Sequence, residues 1–337
     1  MLAHFPLSFC GTCSLTYLSS QQALADLARL LAYVKISYKT ETSQIITVGG
    51  SYSGNLAAWF SVKYPAMTDG SVASSGPILA ETNFTEYMDV VADSLEFFEG
   101  NTCVYYLQLA AETVASLANE GVGSAGYTQL DTDFATCSPM ASENDLSILL
   151  SDLMGYVQGT VQYNKAKPGS FNITTVCDVM LDIDGDRTPY DQFVTLAGMY
   201  RADYGLTCED ASWEDTVDYL AATQNDGDNS GRPWTYQTCN EFGYFQTTDS
   251  TVCMTIVFFV RVLIDLKLFF STYCLIRLNP LKVGHGLDFS SIAICALQHL
   301  MDGHLYRRYL LYIVKFYIVM MHCCSDVDII MYVYLSG

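Results

Sequence analysis

Histidine and basic side chains are scarce in this chain. It has 5 histidines in 337 residues, and none lies between positions 5 and 284. Any imidazole in a functional site must therefore come from His4 or from beyond residue 284. Lysine and arginine total 16 against 36 aspartate and glutamate residues, which gives a net charge of −20 at pH 7. A charge this negative argues against nucleic acid and anionic membrane surfaces as partners.

Targeting and membrane-spanning patterns are also missing. Residues 1–9 lack a basic start, and their apolar stretch is short and broken by a proline, so no signal peptide is visible. Residues 254–275 are long enough to span a bilayer, but Arg261, Asp265 and Lys267 sit near the centre. Each of these charges costs about 2.5–3.5 kcal/mol on insertion. The pattern therefore argues against a spanning helix.

The composition that is present indicates a folded, secreted type of protein. Half of the residues are apolar, which excludes global disorder, and the length allows one large domain or two smaller ones. Of the 36 acidic residues, 31 precede residue 251, and this charge shift marks a boundary near Ser250. Twelve cysteines suggest an oxidising compartment, and the sequons at Asn83 and Asn172 predict N-glycosylation. Free buried cysteines are the alternative.

The most informative stretch is residues 45–60, IITVGGSYSGNLAAWF. Its β-branched run, glycine-flanked serine and helix-forming residues predict a strand, a tight turn and a helix, with Ser51 at the apex. In such a nucleophile elbow the serine takes strained dihedrals, and Gly49 and Ser53 must be small because strand and helix approach closely. Tyr52 would supply an oxyanion N–H at the positive end of the helix. A glycine-rich turn in an ordinary strand–helix unit is the alternative.

Several other segments carry a family resemblance. They are residues 16–27 (TYLSSQQALADL), 63–65 (KYP), 71–78 (SVASSGPI) and 234–248 (WTYQTCNEFGYFQTT). With the elbow, they resemble the family of serine peptidases that contains prolyl carboxypeptidase, dipeptidyl peptidase II and thymus-specific serine protease. The last segment is most similar to the thymus-specific branch. The resemblance covers about residues 16–250 and keeps the family's motif order.

This resemblance implies a serine exopeptidase, either a carboxypeptidase or a dipeptidyl peptidase, that prefers prolyl bonds and forms an acyl-enzyme on Ser51. It implies a peptide substrate, no cofactor and no metal, and a lysosomal, vacuolar or secreted location. Trp234 would line the pocket for the residue before the scissile bond, where an indole face suits a proline ring. A core tryptophan is the alternative. Prolyl members have a long apolar residue where this chain has Asn55 in the pocket, so a strict proline preference does not follow.

The resemblance also implies two disulfides, Cys103–Cys177 and Cys137–Cys208, and leaves Cys239 without its downstream partner. Residues 182–186 (DIDGD) superficially resemble a calcium loop. The EF-hand pattern needs glycine at the position that Arg187 occupies, so we expect a solvated acidic turn.

The predicted fold class is α/β. It comprises a partial α/β-hydrolase sheet with the nucleophile elbow (residues 1–80), a mostly helical insertion or cap domain (residues 81–250), and a C-terminal tail of doubtful fold (residues 251–337). Before the elbow, Ser19 is predicted to cap a helix with an apolar stripe. After it, residues 72–75 are predicted to form a short, buried, parallel strand.

The tail does not resemble the family and offers no clear strand. His285, in the sequence GHGLD, is the candidate base, with Asp265 a still weaker candidate for the orienting acid. The tail's apolar residues lack periodicity, as in translated non-coding sequence, so we expect a gene model that is cut at the front and misread at the back. We expect the chain as written to be inactive, because the tail offers no convincing strand to carry a base. Two alternatives therefore stay open: an inactive or truncated family member without a complete triad, and a membrane-associated binding protein.

Overall fold

The computed structural model describes residues 15–165, 171–182, 185–222, 231–248 and 332–335. These residues cluster into two units. The sheet unit contains the described residues up to Glu81, those from Tyr219 to Gly243, and residues 332–335. The helical unit contains those from Thr82 to Asp218 and from Tyr244 to residue 248. Residues 219–243, which the sequence pattern grouped with the insertion, thus cluster with the sheet unit.

Short strands and flanking helices make up the sheet unit. In chain order they are α1 (Ser20–Tyr38), β1 (Ile45–Gly50), α2 (Tyr52–Lys63), β2 (Gly70–Ser74), α10 (Gly231–Gln237), a π-helical turn (Thr238–Phe242) and β5 (Tyr332–Leu335). The helical unit holds the remaining elements. They are β3 (Glu81–Phe84), α3 (Glu86–Glu99), α4 (Asn101–Ala118), α5 (Ala125–Asp133), α6 (Glu143–Gln162), α7 (Ile173–Leu181), α8 (Pro189–Asp203), α9 (Trp213–Ala221), which runs into the boundary, and β4 (Gly243–Gln246).

Helix α1 begins where the sequence predicts. Ser19 has an extended backbone and its hydroxyl accepts the N–H of Gln22 at 3.2 Å, which satisfies one of the first helical donors. The predicted apolar stripe is buried, and its members are Leu24, Leu27, Leu31 and Val34. The helix ends at Lys39, which takes a left-handed conformation. Local spacing alone therefore accounts for both the existence and the orientation of this helix.

The sheet is parallel at the predicted pair of strands. Strand β1 pairs in parallel with β2, with Ile46 opposite Gly70 and Gly50 opposite Ser74. The prediction that β2 is buried is wrong, because Val72 is 50% exposed. Among the described strands, β2 pairs only with β1 and lies at the edge of the sheet. The tail does provide a strand: β5 pairs antiparallel with the other side of β1.

Strand β1 and helix α2 approach each other more closely than any side chain would allow. A Cβ atom placed on Gly49 would lie 2.0 Å from the carbonyl oxygen of Ser53, and one on Gly54 would lie 2.9 Å from that of Ser74. The helix then buries Leu56, Trp59 and Phe60. The prediction that small residues must surround Ser51 is therefore confirmed at Gly49, where backbone rather than a movable side chain fills the space.

The helical unit has its own apolar core. The regions with helical spacing that the sequence showed, residues 87–92, 104–117 and 146–157, all lie within helices. Leu95, Leu130, Leu149, Leu153 and Leu196 are among the fully buried members of one hydrophobic cluster. Each of these helices presents one apolar face to the cluster, so burial of those faces holds the unit together.

Two disulfides crosslink this unit, in the pairing that the resemblance implied. Cys103 joins Cys177 and so links α4 to α7, while Cys137 joins Cys208. The expectation that Cys239 lacks a partner is wrong, because Cys239 is also disulfide-bonded.

Glu209 carries a buried carboxyl group and follows Cys208 of the second disulfide in the chain. The backbone of Glu209 is held on both sides: its carbonyl accepts the N–H of Cys137 at 2.8 Å, and its N–H donates to the carbonyl of Ala135 at 2.9 Å. Its carboxylate accepts a hydrogen bond from the Tyr156 hydroxyl. Burial, together with the neighbouring charge of Asp210, raises the pKa of Glu209 to about 7. Burial, followed by the charges of Glu209 and Asp210, raises the pKa of Asp152 to about 7.

These pKa values predict that the helical unit is more stable in acid. Between pH 4 and 7 the unfolded chain releases the protons of both carboxyl groups, whereas the folded chain retains them. The free energy of unfolding should therefore fall as pH rises from about 4 to about 7, by about 1.4 kcal/mol per group for each tenfold difference in proton affinity. Denaturation at several pH values, with amide exchange in α6 as the readout, measures this effect. Asp152→Asn should flatten the profile, and the exposed Asp178→Asn should not; equal profiles for wild type and Asp152→Asn would contradict the assignment.

The close approach of β1 and α2 predicts a strong contrast between adjacent glycines. Gly49→Ala places a methyl group against the Ser53 carbonyl and should destabilise the fold by about 3 kcal/mol. A Cβ atom on Gly50 meets nothing closer than 3.8 Å, so Gly50→Ala is the matched control. Chemical denaturation of both variants decides the point. Similar midpoints for the two would show that strand and helix can separate at little cost.

The Cys137–Cys208 disulfide closes a loop with a sequence separation of 71 residues. In the chain-entropy model such a crosslink stabilises a fold by about 4 kcal/mol. Cys137→Ser/Cys208→Ser should therefore lower the denaturation midpoint markedly, whereas Ser138→Ala, beside it on the surface, should not. A midpoint unaffected by the double substitution would show that the crosslink does not stabilise the fold.

Candidate active site

Ser51 has the backbone expected of a nucleophile. Its dihedrals are φ 55° and ψ −131°, in a region that non-glycine residues rarely occupy. The surrounding hydrogen bonds keep it there: its N–H donates to the Ser74 carbonyl at 3.0 Å, and its own carbonyl accepts the N–H of Gly54 at 2.8 Å. Such strain persists only where the fold over-determines it, and it concentrates at functional sites. The strained dihedrals predicted for Ser51 are thus present.

The neighbouring serine differs in accessibility. Ser51 is exposed, whereas Ser53 is 1% exposed and lies inside the first turn of α2. Although Ser51 occupies the N-cap position of α2, its hydroxyl makes no capping bond within the described part of the chain. Of the two serines in the motif, only Ser51 therefore presents its side chain at the surface.

Tyr52 is the first residue of α2, so its backbone N–H lies at the positive end of that helix. Its side chain is buried in an aromatic cluster. The ring centroid is 5.3 Å from that of Phe242 and 5.8 Å from that of Trp234, the latter in an edge-on arrangement. Its hydroxyl accepts a hydrogen bond from Gln237 Nε2 at 2.9 Å. Contacts at the ring and at the hydroxyl therefore both fix this residue.

Gln237 and Glu241 were not singled out from the sequence. Gln237 Nε2 also donates to Glu241 Oε2 at 3.1 Å. The Glu241 carboxylate in turn accepts the backbone N–H of Ser20 at 3.0 Å and the Ser20 hydroxyl at 2.9 Å. The available sequence signal was the spacing of four between Gln237 and Glu241, which places both on one helical face. Their partners lie more than 180 residues away and leave no local pattern.

Trp234 and Asn55, both predicted to line the substrate pocket, differ in exposure. Trp234 is 42% exposed and contacts Tyr52, one residue from Ser51. Asn55 is wholly buried, and its side-chain amide donates to the Pro77 carbonyl at 3.0 Å. Asn55 thus anchors the loop that follows β2 through a buried hydrogen bond.

Other predicted site residues lie away from the elbow or outside the described residues. His285 and Asp265, like the other four histidines, lie outside them. Of the sequon asparagines, Asn172 caps α7 by accepting the N–H of Thr175, and Asn83 accepts the hydroxyl of Thr247. In the acidic turn, Asp182 pairs with Arg187 at 3.3 Å. The described helices are all too short or too polar to cross a bilayer.

Comparison with known proteins supports the interpretation of these features. Thymus-specific serine protease from Homo sapiens is 34% identical over 248 residues, which is 71% of this chain and 48% of the relative. The Mus musculus protein of the same name is 33% identical over 247 residues, again 71% of this chain and 48% of the relative. Lysosomal Pro-X carboxypeptidase from Homo sapiens is 33% identical over 141 residues, 41% of this chain and 28% of that protein. The chain thus spans about half the length of the thymus-specific relatives.

A family match extends this similarity in both directions. The family described as Serine carboxypeptidase S28 matches residues 5–271. The similarity is therefore wider than the motif-bearing residues 16–250, and it enters the segment that the sequence pattern had separated as unlike the family. With the strained, exposed Ser51 at a strand–helix turn, this match leads to one conclusion: the chain belongs to the serine carboxypeptidase S28 family.

Proposed function

We propose that this protein is a serine exopeptidase that cleaves peptides through an acyl-enzyme on Ser51. The observation that carries the proposal is the backbone of Ser51, which is strained, exposed and held at the turn between β1 and α2. Membership of a serine carboxypeptidase family supports the same chemistry. Strained backbone is concentrated at functional sites, which supports a chemical use for the exposed hydroxyl.

The proposed reaction proceeds in two steps. The Ser51 hydroxyl adds to the carbonyl carbon of the scissile amide while an imidazole base takes its proton, and the same imidazole then protonates the leaving amine. A water molecule next cleaves the resulting ester and releases the acyl product. The Tyr52 N–H donates to the oxyanion in both steps, helped by the positive end of α2. His285 is our candidate for the base.

Substrate selection is assigned to the residues beside Tyr52. The exposed Trp234 offers an apolar face for a rigid ring such as that of proline. A related protein bears the name Pro-X carboxypeptidase, which supports a preference for prolyl bonds. Asn55 would act indirectly, by fixing the loop at Gly76 and Pro77 from below. The proposed substrate class is therefore peptides that carry proline before the cleaved bond.

An acidic compartment suits the helical unit. The raised pKa values of Asp152 and Glu209 predict that these two carboxyl groups contribute more stability in acid than at neutral pH. Disulfides form and persist in secretory and similar oxidising compartments. Together with a relative named as lysosomal, these features support a lysosomal or secreted location with glycans on Asn83 and Asn172.

The histidine distribution favours a second candidate function. Because residues 5–284 contain no histidine, a family member without a complete triad would keep the elbow but bind peptides without cleaving them. The two candidates differ in whether the Ser51 hydroxyl is activated, which a reactive phosphonate can report.

A fluorophosphonate probe tests the proposal directly. The sequence predicts an inactive chain, whereas the proposal requires that the tail supply the base. If it does, the full chain should be labelled at Ser51, because the probe reacts with an activated serine. Ser51→Ala should abolish labelling and lower the hydrolysis of prolyl reporter peptides by a factor on the order of 10⁴–10⁶. The matched control Ser53→Ala should keep most of the labelling. Labelling that survives Ser51→Ala contradicts the assignment, and an unlabelled wild type supports the non-catalytic alternative.

A further inference from the structure

The Glu241 carboxylate is held by donors rather than by a basic side chain. Three groups donate to it within 3.1 Å: the Ser20 N–H, the Ser20 hydroxyl and Gln237 Nε2. The ion pair found among the described residues does not involve Glu241; it joins Arg187 and Asp182. Ser20 is the first residue of α1, so the carboxylate also lies at the positive end of that helix. Hydrogen bonds to a charged acceptor are the strong ones, and they fix Glu241 firmly.

Gln237 links the fixed Glu241 carboxylate to Tyr52. A carboxylate only accepts hydrogen bonds, so the Gln237 amide must present its NH2 group to Glu241, and the orientation of the amide is settled. The second proton of that NH2 group points to the Tyr52 hydroxyl, 2.9 Å away. Gln237 is itself buried, so water does not compete readily for these bonds.

Tyr52 directly follows Ser51, so its backbone position affects that of Ser51. Its N–H belongs to the peptide that joins the two residues, so any rotation of that peptide moves both the nucleophile and the oxyanion donor. Displacements of about 1 Å at such a site can cost about a hundredfold in rate. A hydrogen bond to the Tyr52 hydroxyl therefore also restrains the Tyr52 backbone.

We infer that Gln237 and Glu241 are positioning residues, which fix the Tyr52 N–H for the oxyanion through the Tyr52 side chain. The inference rests on the proposed function, because it assigns a role within the same reaction. It requires that loss of the Gln237 bond slow the chemical step and leave binding unchanged. A role confined to general stability would instead lower the amount of folded protein without changing the rate constant of the folded fraction.

The experiment measures fluorophosphonate labelling of the full chain at several probe concentrations, which separates the maximal rate constant (kinact) from the probe affinity (KI). Gln237→Leu keeps the volume and leaves the Glu241–Ser20 contacts in place. We expect kinact to fall about 10- to 100-fold, within the range for weakening one oxyanion donor, while KI changes less than about twofold. Asn240→Ala, which changes an exposed residue beside Glu241 in the π-helical turn, is the matched control and should behave as wild type.

A double-mutant cycle makes the coupling specific. Tyr52→Phe removes the acceptor of the same hydrogen bond, so it should lower kinact to a similar extent, and the double variant should be no slower than the slower single variant. Glu241→Gln, which keeps one acceptor oxygen, should be less impaired than Glu241→Ala. Amide exchange in the peptide that covers residues 50–56 should be faster in Gln237→Leu than in Asn240→Ala.

The outcomes separate the inference from the proposed function. Labelling of wild type at Ser51, with Gln237→Leu reacting at the same kinact, overturns the inference and leaves the function intact. Additive losses in the double variant, or unchanged exchange in residues 50–56, also overturn it. An absence of Ser51 labelling in wild type contradicts the proposed function, and the positioning role fails with it.

Discussion

The structure of the sheet unit depends on one steric constraint, the contact between β1 and the first turn of α2. With no side chain at Gly49, the Ser53 carbonyl lies where a Cβ atom would be. That proximity turns the chain sharply at Ser51 and forces it to positive φ. The exposure of Ser51, the burial of Ser53 and the placement of the Tyr52 N–H all follow from the same turn. The absence of a side chain at Gly49 thus sets the geometry of three consecutive positions, Ser51, Tyr52 and Ser53.

The features that the sequence predicted well were local ones. The cap at Ser19, the stripe of α1 and the elbow itself each depend on residues within one or two helical turns. The burial of β2 was predicted wrongly, because a strand's exposure depends on which strand lies beside it, and local composition does not give that information. Strand β5 was missed for a related reason, since the tail has no alternation of apolar and polar residues to reveal it.

The residues of the candidate site also fall into those predicted from local sequence and those found only in the folded structure. Ser51 and Tyr52 follow from a short motif, whereas Gln237 and Glu241 are recognised only once the fold brings residues separated by 185 and 221 positions together. The resemblance suggested a pocket residue at Asn55, and the structure adds that this residue is buried, with its amide donating to the Pro77 carbonyl. Motif spacing indicates the chemistry of a site, and long-range contacts decide its precision.

The link between Ser20 and Glu241 has a consequence for the way the protein is made. On the ribosome, 221 positions separate the synthesis of the two residues, which takes roughly 10 to 45 seconds at usual elongation rates. During that interval residues 82–218 of the helical unit emerge, with all four cysteines of its two disulfides, while the start of α1 still lacks its carboxylate partner. Most of the helical unit is therefore synthesised before the contact at the start of α1 can form, and a nascent chain stalled before residue 241 would contain both cysteine pairs but lack the Glu241 carboxylate.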